Sequence, residues 1–160
     1  NNGTFDISTT TSGAAINALT GTGTVALGGR TLTLANAAGT FGGAINGTGG
    51  LTVAGGTQTL SGANGYTGAT SINAGTLALT GSGSLAASSG IVNDGTFDIS
   101  GTTSGAAINA LTGTGAVALG SRTLTLANAA GTFGGTINGS GGLTVAPVTE
   151  SGPALLAVMV

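Results

Sequence analysis

The sequence predicts an all-β fold, a parallel β-helix of about seven coils of roughly 23 residues each. Three observations lead there. The chain repeats itself, its apolar residues alternate in short runs, and Gly and Asn interrupt it every few residues. Each narrows the choice in turn.

Self-similarity comes first. Residues 1–54 match residues 93–146 at an offset of 92, and six of the 54 positions differ. Within this long repeat lies a family of apolar-x-apolar triplets. They are Phe5-Asp6-Ile7, Val25-Ala26-Leu27, Leu51-Thr52-Val53, Leu77-Ala78-Leu79, Phe97-Asp98-Ile99, Val117-Ala118-Leu119 and Leu143-Thr144-Val145. Markers at Phe5, Leu27, Leu51, Leu77, Phe97, Leu119 and Leu143 are spaced 22, 24, 26, 20, 22 and 24 residues apart, so four steps span the offset of 92. That spacing is too short for a propeller blade and suits a solenoid coil. Residues 1–146 therefore read as one solenoid domain and 147–160 as a non-repeat tail.

Local pattern then decides the type of coil. Thr31-Leu32-Thr33-Leu34, Thr76-Leu77-Ala78-Leu79 and Thr123-Leu124-Thr125-Leu126 alternate with period two, the mark of strands with one buried face. No stretch carries a helical stripe, and the Leu content is too low for a leucine-rich repeat. Three short strands and three turns per coil fit. One corner is legible in Ile45-Asn46-Gly47, Ile72-Asn73-Ala74-Gly75, Val92-Asn93-Asp94-Gly95 and Ile137-Asn138-Gly139: the apolar residue closes a strand, then Asn and Gly turn the chain. Stacked Asn side chains would form an amide ladder there; turn residues without a ladder are the equal alternative. Seven coils stacked at strand spacing give a rod on the order of 35 Å tall. Nothing at the start of the sequence reads as a cap, so the chain looks cut from a longer solenoid.

Composition supports an ordered, thin-cored repeat. Gly supplies 34 residues, and charged residues are 4% of the chain against about 25% in an ordinary domain. Disorder would bring high net charge and low hydropathy; here the net charge is −2 and mean hydropathy is positive. Without Cys or His, disulfides and zinc sites are excluded. The longest apolar run, Ala154 to Val160, is too short to span a membrane as a helix. No signal segment opens the chain, and Asn1 reads as the start of an excised or mature fragment. Two Arg and no Lys make nucleic acid and anionic lipid poor partners.

The segment Leu60-Ser61-Gly62-Ala63-Asn64-Gly65-Tyr66-Thr67-Gly68-Ala69-Thr70-Ser71-Ile72-Asn73-Ala74-Gly75-Thr76-Leu77 resembles the passenger-associated transport repeat of autotransporters, LSGxNxYTGxTxxNxGTL. Looser relatives run from Leu34 to Leu51 and from Leu126 to Leu143, with Phe41 and Phe133 in the aromatic place. The resemblance implies a right-handed parallel β-helix. It also implies a passenger exported through an outer-membrane translocator barrel and exposed outside the cell, as a structural or adhesive stalk. Glycans, host surfaces and the chain itself are the candidate contacts, and the sequence does not choose among them.

The ionisable inventory is Asp6, Arg30, Asp94, Asp98, Arg122, Glu150 and Tyr66. It lacks the clustered carboxylates and bases along one groove that a β-helix lyase or hydrolase carries. Asp94 and Asp98 supply too few oxygens for calcium. The Gly-rich stretches Gly21-Thr22-Gly23 and Gly47-Thr48-Gly49-Gly50 lack the Lys and the following helix of a phosphate loop. Ser and Thr are plentiful, but no His or Lys is present to activate them. The reading is a non-enzyme with no catalytic, cofactor-binding or metal-binding residue and no cofactor. The alternatives are a self-assembling filament or surface-layer block and, behind it, an ice-binding solenoid. The outward Thr31, Thr33, Thr123 and Thr125 favour the ice-binder, and the variable coil spacing disfavours it.

Four placements follow. Leu27, Leu51, Leu77 and Leu119 should stack in one interior, with Thr52 and Ala78 outward. Phe41, Tyr66 and Phe133 should share one place in their coils, the Phe rings buried and the Tyr66 hydroxyl near the surface. Asp6 with Arg30, and Asp98 with Arg122, should meet on neighbouring coils. The tail 147–160, with its Pro147 and Pro153, either caps the open last coil or joins other parts of a larger protein.

Overall fold

The computed structural model describes residues 1–146; both readings of the tail, and Glu150, fall outside the described residues. Within that range the secondary structure is β-strand, and every strand pairing is parallel. The chain winds as a three-sided solenoid of about seven turns. On the first side lie Thr4–Asp6, Thr24–Gly28 and Ala44–Gly47, and further along Ala106–Ile108, Leu124–Leu126 and Leu143–Val145. The second side stacks Ala14–Ile16, Leu32–Leu34, Leu51–Val53, Thr70–Ile72, Ile91–Asn93 and Leu111–Thr112. The third stacks Ala37–Phe41, Gly56–Leu60, Thr76–Gly81, Thr96–Thr102, Ala116–Gly120 and Thr136–Gly139.

Alternation sets the inside. In Leu32–Leu34 and Leu51–Val53 the outer two residues are buried and the middle Thr faces outward. Leu27, Leu51, Leu77 and Leu119 all reach the one interior; Thr52 and Ala78 alternate outward. These leucines do not stack on one another, however. Leu27 belongs to the first side, Leu51 to the second, and Leu77 and Leu119 to the third.

That difference corrects the coil length. Phe5 pairs with Val25, and Val25 with Ile45. Leu77 pairs with Phe97, and Phe97 with Val117. Paired residues are 18 to 21 apart, from Ala14 opposite Leu32 to Thr70 opposite Ile91, so the coil is shorter than 23 residues. The triplet markers had mixed true coil steps with steps of one coil plus one side. The near-duplicate segments are likewise not four coils apart. Phe5 lies on the first side and its counterpart Phe97 on the third, so the offset of 92 spans four coils and two further sides.

The corners differ from expectation too. Left-handed backbone is taken by Gly47, Gly75 and Gly139, at φ of 131, 74 and 130°, and by no Asn among the described residues. The Asn side chains form no single ladder. Asn46 and Asn138 sit outward on different sides, while Asn93 pairs with Ile72 and turns inward. Its strand runs one residue past the anticipated turn, which puts Val92 outside, 41% exposed. Asn93 donates to the Ala116 carbonyl at 2.8 Å and leaves its own oxygen buried without a partner.

The charge pairs are also redrawn. A step of 20 sets Asp6 opposite Ala26 and Asp98 opposite Ala118, four residues short of the arginines. Each Asp instead accepts the N–H of the Ser two residues on, at 2.8 Å. Arg122 donates to the Thr103 carbonyl at 3.1 Å. Hydrogen bonds from the Ser8 side chain and backbone hold the Asp6 carboxyl below its ordinary range.

Candidate functional site

The first side is interrupted midway. Over the strand Ala44–Gly47 the wall is built by non-strand segments, residues 61–69 and, one coil on, 82–90. A wall without a β-ladder must satisfy its backbone by other means. Here side chains do it, and most of the buried polar residues gather in these coils.

Asn64 is the first of them. Its oxygen accepts the Ile45 N–H of the preceding coil at 3.1 Å. Its amide nitrogen donates to Gly62 at 3.0 Å and to Ser84 of the following coil at 3.2 Å. One side chain thus ties three coils where no strand does. Tyr66 follows, fully buried, with its hydroxyl 2.6 Å from Thr70 Oγ1; that oxygen is 3.1 Å from Ser88 Oγ. Ser88 donates to the carbonyls of Gly68 at 2.8 Å and Gly90 at 3.2 Å. Carbonyls only accept, so the one Ser88 proton is committed to them. Thr70 therefore donates to Ser88, and Tyr66 to Thr70. The Tyr66 hydroxyl, expected near the surface, is the buried head of this chain, and burial pushes the phenol well above its ordinary pKa.

Gln58 completes the set. It stands opposite Gly39 below and Leu77 above, at an inward position otherwise held by apolar side chains. The Gln58 amide is satisfied there by backbone groups of the coils beneath. It donates to Leu19 at 2.9 Å and Gly39 at 3.2 Å, and it accepts the Leu19 N–H at 3.3 Å. Leu19 lies two coils away, so the amide stands in for a peptide unit of the absent pairing. Gly62 and Gly68 meet a different demand. A Cβ on either would drive into the carbonyl of Gly43 or Gly49 beneath.

The aromatics share a place only in part. Phe41 and Phe133 hold equivalent places, bridging to Gly21 and Gly113 of their preceding coils, whereas Tyr66 lies over Ile45 on the first side. All three rings are buried. Of the ionisable groups, Asp94 caps Thr114 of the next coil, accepting its N–H at 3.0 Å and its hydroxyl at 3.2 Å. Among the described residues no three acidic, His or Cys side chains gather as a metal site would require, and no helix is long and apolar enough to cross a membrane. Gln58 and Ser88 were missed by sequence reasoning. The available signal for Gln58 was its phase, since in Thr57-Gln58-Thr59-Leu60 it shares the inward parity of Leu60.

A parallel solenoid in which one coil's buried side chains replace strand pairing defines a repeat-built rod. Residues 55–79, which hold Gln58, Asn64, Tyr66 and Thr70, match the family model described as the passenger-associated-transport-repeat. Together the repeat and the solenoid fit an autotransporter passenger with repeats. No curated protein and no solved structure matches the chain.

Proposed function

We propose that the chain is a length of non-catalytic stalk in an autotransporter passenger. In this reading it is carried to the cell surface through an outer-membrane translocator barrel and spaces or presents adhesive parts there. The observation that carries it is the use of the transport-repeat side chains. Asn64, Thr70 and Gln58 direct their polar atoms into neighbouring coils, and the Tyr66 hydroxyl is held within its own coil by Thr70, which favours a mechanical role over recognition or chemistry. The outer surface fits a passive rod, being built largely of Thr, Ser, Ala and Gly with few charges. The test is to place residues 1–160 between a signal peptide and a translocator barrel in a Gram-negative host. The expected result is a surface-exposed segment that resists added protease, and a protease-labile segment in an Asn64→Ala, Tyr66→Ala double variant. Retention of the parent chain in the periplasm would sink the reading.

A further inference from the structure

The last described coil ends on a surface whose partner is visible elsewhere in the same molecule. Residues 129–146 repeat residues 37–54 with two differences, Ala44 to Thr136 and Thr48 to Ser140. On 37–54 lies the transport repeat. Its strand Gly56–Leu60 pairs with Ala37–Phe41, and Thr70–Ile72 pairs with Leu51–Val53. Between them Gly65 and Tyr66 donate to the Ile45 carbonyl, Thr67 to Gly47 and Gly68 to Gly49. Among the described residues nothing takes these places over 129–146. Ile45, Leu51 and Val53 are fully buried, whereas Ile137 and Leu143 are only partly so and Val145 is 43% exposed. Ala37–Phe41 is a strand because Gly56–Leu60 pairs with it; the same five residues at 129–133 form none.

We propose that this coil is an acceptor site for a second transport-repeat segment, seated by strand addition in the register of residues 55–72. The seat is preformed. Thr136–Gly139 rests on Ala116–Gly120 residue for residue as Ala44–Gly47 rests on Thr24–Gly28, including the register shift before the glycine. Leu111 and Gly131, counterparts of Leu19 and Gly39, stand where an incoming Gln58 would reach. Ile137 stands where an incoming Asn64 would accept a backbone N–H. The site also excludes ordinary strands. Gly62 and Gly68 press on Gly43 and Gly49 with no room for a Cβ, and the counterparts Gly135 and Gly141 ask the same of any occupant. Main-chain pairing supplies affinity in such strand addition, and the side-chain seats supply selection. The inference stands apart from the stalk reading, since it concerns an edge whatever the rod presents.

A labelled 25-residue peptide with the sequence of residues 55–79, titrated with the full 160-residue chain and followed by fluorescence anisotropy, tests it. We expect saturable binding. A peptide carrying Gly62→Val and Gly68→Val should bind at least about tenfold more weakly, as should the parent peptide to a Val145→Asp chain. Hydrogen exchange on the complex should show new protection over 133–145 and none over 4–16. Absence of saturable binding to the full chain, including binding blocked by residues 147–160, overturns the proposal. So does equal binding of the valine peptide, or protection confined to the first coil.

Discussion

At the scale of single residues the buried polar side chains carry the clearest consequences. Tyr66 is the chain's one Tyr, and the chain has no Lys or Cys, so no other side chain titrates between neutrality and pH 12. In the unfolded chain the phenol ionises near pH 10; in the fold burial keeps it protonated to higher pH. Above pH 10 the unfolded state therefore holds fewer protons, and stability falls as pH rises further. Urea midpoints at pH 8 and pH 11 should show that fall in the parent and not in Tyr66→Phe. At pH 8 the same variant should lose roughly 1 kcal/mol, having stripped a buried hydroxyl of its donor. Asn64→Ala leaves the Ile45 N–H without its partner, while the Ser84 carbonyl keeps the residue-64 backbone N–H, and should cost about 1–3 kcal/mol. A midpoint within error of the parent would mean that water replaces the amide. Phe41→Ala should cost about 3–5 kcal/mol, since the ring is fully buried. Burial of these aromatics was legible from their apolar surroundings. The inward turn of Asn93 was not, because a strand one residue longer reverses which neighbour faces in, and only pairing with Ile72 sets that length.

At the scale of strands and turns, the sequence shows what each piece is more readily than where it stacks. Each triplet falls on a strand, from Phe5 to Val145, and the five inner ones have two buried residues; Ile7 lies one past its strand and Val145 is exposed. The first residues of the triplets, at 5, 25, 51, 77, 97, 117 and 143, are separated by 20 or by 26 residues. The step of 20 is one coil, as in Leu77 opposite Phe97. The step of 26 is one coil and one side, as from Leu51 through its partner Thr70 to Leu77 on the next sheet. Averaging the two produced a coil that was too long. Three chemically similar sides leave nothing in local pattern to tell them apart; register does, through close contacts such as those under Gly62 and Gly68. Gly68→Val should push residues 67–69 off the Gly49 carbonyl and open the wall locally. The expected outcome is faster amide exchange at Gly65, Thr67 and Gly68, whose N–H groups bond the coil beneath, with the third-side strand Thr76–Gly81 unchanged. Equal exchange in variant and parent would show that the close contact is dispensable.

At the scale of the whole molecule, one sequence serves on two different sides of the prism. Residues 24–28 form the first side, and their counterparts 116–120 form the third, with the same register to the strand above. Stability is therefore set by neighbouring coils more than by position around the axis, as in other solenoids. This bears on the filament alternative. Inside the chain, residues 37–54 are covered by 55–72, and residues 93–112 rest on 70–92. Stacking the last described coil of one chain on the first coil of another would set 129–146 against 1–19, an interface that occurs nowhere within the molecule. Ice binding meets a different obstacle. On the third side Thr57, Thr76 and Thr96 align in register, but Ala116 breaks that row, and Ala78, Asp98 and Ala118 fill the one beside it. No thermal hysteresis is expected. The coil architecture also fixes an order of opening. Among the described residues the first and last coils have a neighbour on one side only, with Phe5, Ile16, Ile137 and Leu143 partly exposed, whereas the coils around Tyr66 are paired above and below and cross-tied by Gln58 and Asn64. Local opening should therefore cost least at the described ends and most near residues 58–97. Native-state hydrogen exchange should rank the amides of Ile7 and Ala146 well below those of Leu77 and Phe97 in protection. If all four exchange at one common rate, the rod unfolds as a single unit and the ties at Gln58 and Asn64 do not divide it.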